Sequence, residues 1–83
     1  MGEKMMRVAE NEVRGKTVMS EGGLFLGILR NITVDQKTGE LRNLLIEPSE
    51  DIDTRLYHVD EHGHIVLDFD TVKSVKDVVI VKD

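Results

Sequence analysis

The chain has 83 residues, of which 40% are hydrophobic and 33% charged, so it predicts a single folded domain and not a disordered segment. Its 11 basic and 16 acidic residues give a net charge of −5, which argues against a protein that mainly neutralises phosphate backbones. The absence of cysteine excludes disulfides, thiol nucleophiles and thiolate metal sites. No apolar run approaches the ~20 residues of a membrane span. We therefore expect a cytoplasmic domain with no membrane insertion and no direct contact with nucleic acid.

The N-terminal residues differ from the rest of the chain in their apolar spacing. Apolar side chains recur there at helical intervals, at Met5, Met6, Ala9 and Val13. Gly15 is placed to end a helix, although a helix this short does not hold on its own in water. We therefore expect residues 1–12 to form either a frayed tail or a short helical turn at one mouth of the fold. Residues 13–83 are expected to form the domain itself.

From residue 16 onward, turn signals alternate with short runs rich in Val, Ile and Leu. Such runs between turn signals are typical of an all-β sandwich or barrel. The predicted strands lie at 16–20, 24–35, 40–47, 55–60, 64–69 and 78–82. The spacing of Val72 and Val75 indicates one further turn of helix. The predicted fold is a small all-β barrel of about six short strands with a short helical turn at its N-terminus.

Two of the turns share one pattern, in which an Asp opens the turn and a Gly closes it. Asp35 and Gly39 bracket the first, and Asp60 and Gly63 the second. The carboxylate can accept a hydrogen bond from a turn amide, and the glycine can adopt the positive φ that such a hairpin turn requires. Gly23 belongs to an earlier turn signal. We therefore assign these residues a structural role.

The alternation of apolar side chains slips within the long second strand, where Arg30 interrupts it. A bulge near Arg30 and Asn31 would bring Leu29, Ile32 and Val34 to the same inward face and bend the strand. Small barrels need such bends to close. The sequence therefore predicts a bulge at this point.

Two continuous apolar runs, residues 44–46 and 78–81, are expected to be covered on both sides. Alternate side chains of a strand point to opposite faces, so placing the even-numbered members in the core turns the odd-numbered members outward. These and two aromatic side chains form the predicted interface: Phe25, Leu45, Tyr57, Val79 and Val81. A two-fold homodimer would bury this patch. The alternative is that the N-terminal apolar residues named above fold over it and leave a monomer.

The segment from residue 48 to residue 64 carries most of the net negative charge, with five acidic residues and one basic residue. We predict an exposed hairpin here. His58, His62 and His64 cluster within it, and imidazoles beside a carboxylate can bind Zn²⁺ or Ni²⁺. A small metal- or ligand-binding protein that uses these histidines is therefore the alternative function. The preferred interpretation has no metal site, because histidines on a turn lack the fixed surroundings of metal ligands.

No arrangement of catalytic residues stands out. Asp35 is explained as a turn residue, and no serine has a His and an acid at a supporting spacing. A barrel this small fills its interior with side chains, which leaves no ligand-sized pocket. We therefore expect no enzyme activity and no cofactor.

Several segments, in order and at matching spacing, resemble the PRC-barrel domain family. They are residues 13–20 (its Gly-Lys opening), 23–27 (its glycine turn), 32–35 with Thr38 and Gly39 (its Asp-x-x-Thr-Gly strand end), and 69–75 with 77–81 (its closing segment). The similarity extends over residues 13–82, and the chain looks like the stand-alone members common in archaea. It departs from the family at Lys76, where many members have Gly, and in the length of the segment 48–64.

The resemblance implies an adaptor and not a catalyst. Members of the family include a domain of a bacterial ribosome-maturation factor that binds a ribosomal protein. Others are the cytoplasmic domain of the photosynthetic reaction-centre H subunit and small archaeal proteins linked with cell division. The expected function is a non-enzymatic protein-interaction module, in ribosome or RNA-processing assembly or in cell division, whose partner is another protein.

Overall fold

The computed structural model describes residues 14–82, whose regular structure consists of six strands and two short 3₁₀ turns. In chain order the elements are β1 (Thr17–Ser20), β2 (Phe25–Val34), β3 (Leu41–Pro48), a 3₁₀ turn (Thr54–Leu56), β4 (Ile65–Asp68), a second 3₁₀ turn (Phe69–Thr71), β5 (Val72–Val75) and β6 (Val78–Val81). The prediction of an all-β fold with six short strands is confirmed. The predicted N-terminal helical turn lies outside the described residues.

The six strands form one sheet in the order β4-β3-β2-β1-β6-β5. Neighbouring strands are antiparallel, except that β1 and β6 run parallel. The two edge strands, β4 and β5, are joined directly by the 3₁₀ turn Phe69–Thr71. A flat sheet of this width would hold its edges about 24 Å apart, whereas this connection spans at most about 14 Å. The sheet must therefore curl until its edges approach each other, which makes it barrel-like.

Bulges on β2 provide the bend. Against β3, Leu29 pairs with Ile46 and Asn31 pairs with Leu45, so Arg30 is the extra residue. The predicted bulge at this position is confirmed. It brings Leu29 and Ile32 to the same buried face although they are three residues apart. A second irregularity on β2 faces β1, where Leu26 is the extra residue.

The core occupies the inside of the curled sheet. Among residues 14–82, nine apolar side chains are buried: Val18, Leu26, Leu29, Ile32, Leu44, Ile46, Ile65, Val79 and Val81. Leu44 and Ile46 point inward as predicted. Burying each of these side chains stabilises the fold by about 1.5–3 kcal/mol relative to leaving it exposed.

The orientation of β6 is the reverse of the prediction. Val79 and Val81 are 1% and 0% exposed, and the two even-numbered residues of the strand are half-buried. The parallel register with β1 explains this, because it pairs Val79 with Val18 and Val81 with Ser20. Both β1 residues face the core, and paired residues of adjacent strands share a face. The expectation that Val79 and Val81 point outward is therefore wrong.

Two predicted elements have a different conformation. Residues 55–60 are not a strand: the chain makes the 3₁₀ turn Thr54–Leu56, and only an isolated bridge joins Val59 to Ile65. Asp53 explains the turn, because its Oδ1 accepts a hydrogen bond from the Arg55 amide at 3.0 Å. The segment Val72–Val75 is not helical but forms β5, because β6 supplies an antiparallel partner for it.

The Asp–Gly turns are held by side-chain hydrogen bonds. Asp35 Oδ1 accepts from the amides of Lys37 at 2.8 Å and Thr38 at 3.2 Å, and Gly39 has a φ of 78°. Asp60 and Gly63, with a φ of 84°, form the corresponding pair before β4. These local hydrogen bonds determine where the chain reverses direction, without a contribution from the core.

Candidate interaction surface

Among the described residues, four large apolar side chains are exposed: Leu24 (51%), Phe25 (41%), Leu56 (76%) and Val75 (43%). Leu24 and Phe25 are consecutive and lie where β1 turns into β2. We call these two residues the turn surface. Exposed apolar side chains that stand together are candidates for contact with another protein.

Hydrogen bonds around Ser20 hold the turn surface in place. Ser20 Oγ accepts from the Leu24 amide at 3.1 Å, and the Ser20 amide donates to the Leu24 carbonyl at 2.9 Å. The Gly23 amide donates to the Ser20 carbonyl at 2.9 Å, and Gly23 has a φ of 94°. Ser20 itself is buried. The turn therefore presents Leu24 and Phe25 on an ordered backbone, which lowers the entropy lost when a partner binds.

The loop after β3 begins at the same end of the barrel. The Ser49 amide donates to the Leu26 carbonyl at 2.9 Å, which places the start of the loop beside the start of β2. Further along, Arg55 Nε lies 3.0 Å from Asp53 Oδ1. The Arg55 side chain, with a smaller contribution from its amide, lowers the pKa of Asp53. Leu56 is the last residue of this 3₁₀ turn and is the most exposed large apolar side chain described.

The residues predicted for the interface fall into three environments. Phe25 is exposed. Leu45 is half-buried on β3, and Tyr57 is half-buried and packed against the core. Val79 and Val81 are inside the core and cannot contact a partner while the domain is folded. The structure therefore does not bring the five residues together on one surface.

Three exposed apolar residues were missed by the sequence reasoning, namely Leu24, Leu56 and Val75. Leu24 directly follows the turn glycine Gly23, and an apolar residue at that position was the available signal. The exposure of Leu56 was not predicted, because residues 55–60 were assigned to a strand, in which alternate side chains point inward. Its exposure depends on the 3₁₀ turn that Asp53 caps.

An apolar groove of about 140 Å³ opens elsewhere on the barrel. It is lined only by apolar side chains, from β2, β3, the second 3₁₀ turn, β5 and β6: Leu29, Ile32, Leu41, Leu44, Phe69, Val72, Val75 and Val79. Leu29 and Val79 belong to the core, whereas Val75 is exposed. The groove therefore connects the core with solvent. Its volume is below the roughly 300 Å³ at which pockets for drug-sized ligands begin.

A polar hollow of about 250 Å³ adjoins the groove, since Leu41 lines both. Three carboxylates stand around it, those of Glu40, Asp68 and Asp70, and we call them the acidic rim. Arg42 also lines the hollow, so its formal charge is three negative and one positive, or −2. One mouth of the apolar groove is therefore bordered by negative charge.

The three histidines do not converge. Asp60 Oδ1 accepts from the amides of His62 and His64, both at 2.9 Å, and the His64 Nδ1 lies 3.8 Å from Asp60 Oδ2. The rings of His62 and His64 are 6.4 Å apart between centroids. His58 is exposed, and its carbonyl accepts from the Val66 amide. Within the part of the chain that the structure describes, no three His, Cys, Asp or Glu residues are grouped as metal ligands.

The carboxylates of Asp35 and Asp60 accept hydrogen bonds from backbone amides and so have a structural role. The amide of Lys37, followed by that of Thr38, lowers the pKa of Asp35. The amide of His64 is the largest cause that lowers the pKa of Asp60. These groups are stabilised as anions by the turns they hold, and an anion of low pKa is a poor proton carrier near neutral pH.

The structure also bears on membrane crossing. Over residues 14–82, no helix is both long enough and apolar enough to span a bilayer.

Comparison with known proteins identifies the family. No curated protein matches the sequence significantly. The structure is similar to the crystal structure of a Pseudomonas aeruginosa protein named as a 16S ribosomal RNA processing protein, RimM, with a TM-score of 0.58 and 14% sequence identity. The similar region covers 87% of this chain but 41% of that protein, so this chain spans less than half of its length and the likeness shows the fold alone. The model of the PRC-barrel domain matches residues 6–83, and the chain therefore belongs to the PRC-barrel domain family.

Proposed function

We propose that the protein is a non-enzymatic adaptor that docks onto another protein through the turn surface. The observation that carries the proposal is the exposure of Leu24 and Phe25, at 51% and 41%, on a turn ordered by Ser20. Covering two such side chains removes apolar area from water, which favours association. Because the turn is already ordered, little of that gain is lost to immobilising the backbone.

Family membership and charge support a protein partner. The chain carries −5, and its acidic residues outnumber the basic ones by 16 to 11. A surface of this charge repels phosphate backbones, whereas it does not oppose apolar contact with a protein. The resemblance to adaptor members of the family points in the same direction.

The cellular process we propose is ribosome or RNA-processing assembly in the cytoplasm. The support is the similar structure, which is named as a 16S ribosomal RNA processing protein. Cell division is the alternative process, from the family resemblance. Metal or ligand binding through His58, His62 and His64 has weaker support, because no three potential metal ligands are grouped among residues 14–82.

The test is affinity capture from an extract of the source organism with three baits. The wild type is compared with Leu24→Ser/Phe25→Ser and with a control, Val75→Ser, which removes an apolar side chain of similar exposure at another place. We expect the wild type and the control to retain the same partner and the double variant to lose it. Loss of two central apolar contacts lowers affinity by about 10- to 100-fold. Retention of the partner by a folded double variant would refute the proposal.

Self-association through the turn surface is a second use of the same side chains. A two-fold dimer places identical patches against each other. With Val79 and Val81 in the core, the homodimer proposal now rests on Leu24 and Phe25. Light scattering at tens of micromolar tests it: we expect twice the 9.4 kDa of one chain, and a return to one chain in Leu24→Ser/Phe25→Ser. A monomeric wild type would end the case for self-association.

A further inference from the structure

The apolar groove reaches from the core to the surface of the barrel. It touches the core residues Leu29 and Val79, and its outer edge includes the exposed Val75. Water in such a hollow finds no hydrogen-bonding partner on the apolar walls. At about 140 Å³ the groove is close in volume to a cavity of about 150 Å³ that binds benzene. One apolar side chain of the size of Phe or Leu therefore fits it.

Carboxylates border the groove where it meets the polar hollow. Leu41 lines both cavities and follows Glu40 in the chain, and Phe69 lines the groove between Asp68 and Asp70. All three carboxylate side chains belong to exposed residues. Among residues 14–82, none of them forms an ion pair with a basic side chain. Their charges are therefore available to a binding partner.

Arg42 does not neutralise this border. Its Nη1 lies 3.9 Å from Asp35 Oδ2, so a further carboxylate stands beside it. Arg42, Asp35 and the acidic rim together carry four negative charges and one positive charge, or −3. The two charged residues that follow Val75 in the chain, Lys76 and Asp77, cancel each other. The groove is therefore apolar inside and negative at its border.

We propose that the apolar groove binds a segment of a separate protein in which one apolar side chain has lysine or arginine beside it. The apolar side chain fills the groove, and the basic side chains lie over the acidic rim. Opposite charges around a contact speed the encounter and select the partner. The same border repels nucleic acid, anionic lipid surfaces and acidic segments. A second copy of this chain, at −5, is disfavoured for the same reason.

This contact is separate from the turn surface. Leu24 and Phe25 lie at the start of β2, whereas the groove takes Leu29 and Ile32 from further along the strand. The strand from Phe25 to Ile32 spans about 20 Å. A partner held at the turn surface therefore does not need Val75, and the two proposals can be tested independently.

Titration of the isotope-labelled full chain with short peptides, followed by NMR, tests the proposal. The probe is Gly-Lys-Phe-Lys-Gly, blocked at both ends; one matched peptide has Ser in place of Phe, and another has Ser in place of both Lys. We expect the probe to shift the amide resonances of Leu41, Val72 and Val75 and to leave those of Leu24 and Phe25 unchanged. Loss of the Phe should weaken binding by about 10- to 150-fold, and loss of both Lys by about 2- to 30-fold.

Two double variants of the chain separate the local charge from the net charge. Glu40→Gln/Asp70→Asn removes two charges of the acidic rim. Glu50→Gln/Asp51→Asn removes two charges of exposed residues in the loop after β3 and changes the net charge by the same amount. We expect the first variant to bind the probe about 2- to 30-fold more weakly and the second to bind it like the wild type.

Four results would overturn the proposal. The first is equal affinity of the two double variants for the probe, or equal affinity of the wild type for the probe and the peptide without lysine. The second is a set of shifts confined to Leu24 and Phe25, which would place the probe on the turn surface. The third is failure of the full chain to bind the probe at millimolar concentration, because the groove would then be closed to a separate protein. The fourth is a change of the groove resonances on dilution of the protein alone, which would identify a second copy as the occupant.

Discussion

Gly27 lies where the backbones of β2 and β3 leave no room for a side chain, and its replacement by alanine tests whether this close packing is a constraint on the fold. Gly27 is buried, pairs with Pro48 and has a φ of 153°. A Cβ added there would overlap the carbonyl oxygen of Glu47 and lie 2.9 Å from the carbonyl carbon and 3.0 Å from Pro48 Cα. All three atoms belong to the backbone of β3, so no side chain can rotate away. The two strands would have to separate.

Two contributions set the expected cost of Gly27→Ala. The unfavourable φ costs about 1–2 kcal/mol, and overpacking a close contact costs about 1–3 kcal/mol. Together they lower the free energy of unfolding by about 2–5 kcal/mol. At roughly 0.05–0.15 kcal/mol per residue, a chain of 83 residues has about 4–12 kcal/mol in total. The substitution should therefore remove a large part of the stability.

Gly63→Ala is the matched control. Gly63 also has a positive φ, of 84°, but a Cβ added there meets no atom within 4 Å. It should lose only the backbone contribution of about 1–2 kcal/mol. Urea unfolding followed by circular dichroism measures both variants against the wild type. If Gly27→Ala is no more destabilising than Gly63→Ala, the close approach of β2 to β3 is not a constraint on the fold.

Three further results are expected. Val79→Lys should abolish the cooperative unfolding transition in urea, because it places an ammonium group in the core. Val78→Lys should retain this transition. If the two variants unfold alike, the orientation of β6 is contradicted. Asp35 and Asp60 have pKa values below the usual 3.8, so they stabilise the fold above that pH, and this contribution is lost as the pH falls through their lowered values. Asp60→Asn should accordingly reduce the fall in the urea midpoint between neutral and acidic pH, and an unchanged fall would exclude this carboxylate as a cause. Deletion of residues 1–12 should leave a folded barrel, since the strands supply the described core. If the shortened chain shows no single cooperative unfolding transition in urea, this prediction is wrong.

The features predictable from the sequence are those set by local interactions. The bulge at Arg30 was visible because a charged residue interrupts an apolar alternation. The turn at Asp35 and Gly39 was visible because the carboxylate and the glycine act within five residues. Each signal operates over a few residues, so no knowledge of the rest of the fold was required.

The errors arise where distant pairing decides the outcome. Every residue of Val78–Val81 is apolar, so periodicity cannot tell which face is inward, and the parallel register with β1 settles it. The spacing of Val72 and Val75 fits a helical turn as well as a strand, and pairing with β6 selects the strand. In both cases the deciding partner is another strand and not the local sequence.

The candidate sites were predictable only in part for the same reason. Phe25 was identified from its aromatic character, and Leu24 was not. The apolar groove draws side chains from four strands and a 3₁₀ turn, so it exists only after the sheet has curled. Single-strand patterns carry no information about such a hollow.

The two edges of the sheet favour a partner that binds through side chains over a partner that adds a strand to the sheet. On β4, the Val66 amide already donates to the His58 carbonyl at 2.8 Å, and Val59 bridges to Ile65. The other edge, β5, has four residues, and Lys73 is an extra residue in its pairing with β6. A short, irregular edge with an exposed lysine resists pairing with another chain. Backbone groups at both edges are therefore poor contact points, and apolar side chains on an ordered turn are the better ones.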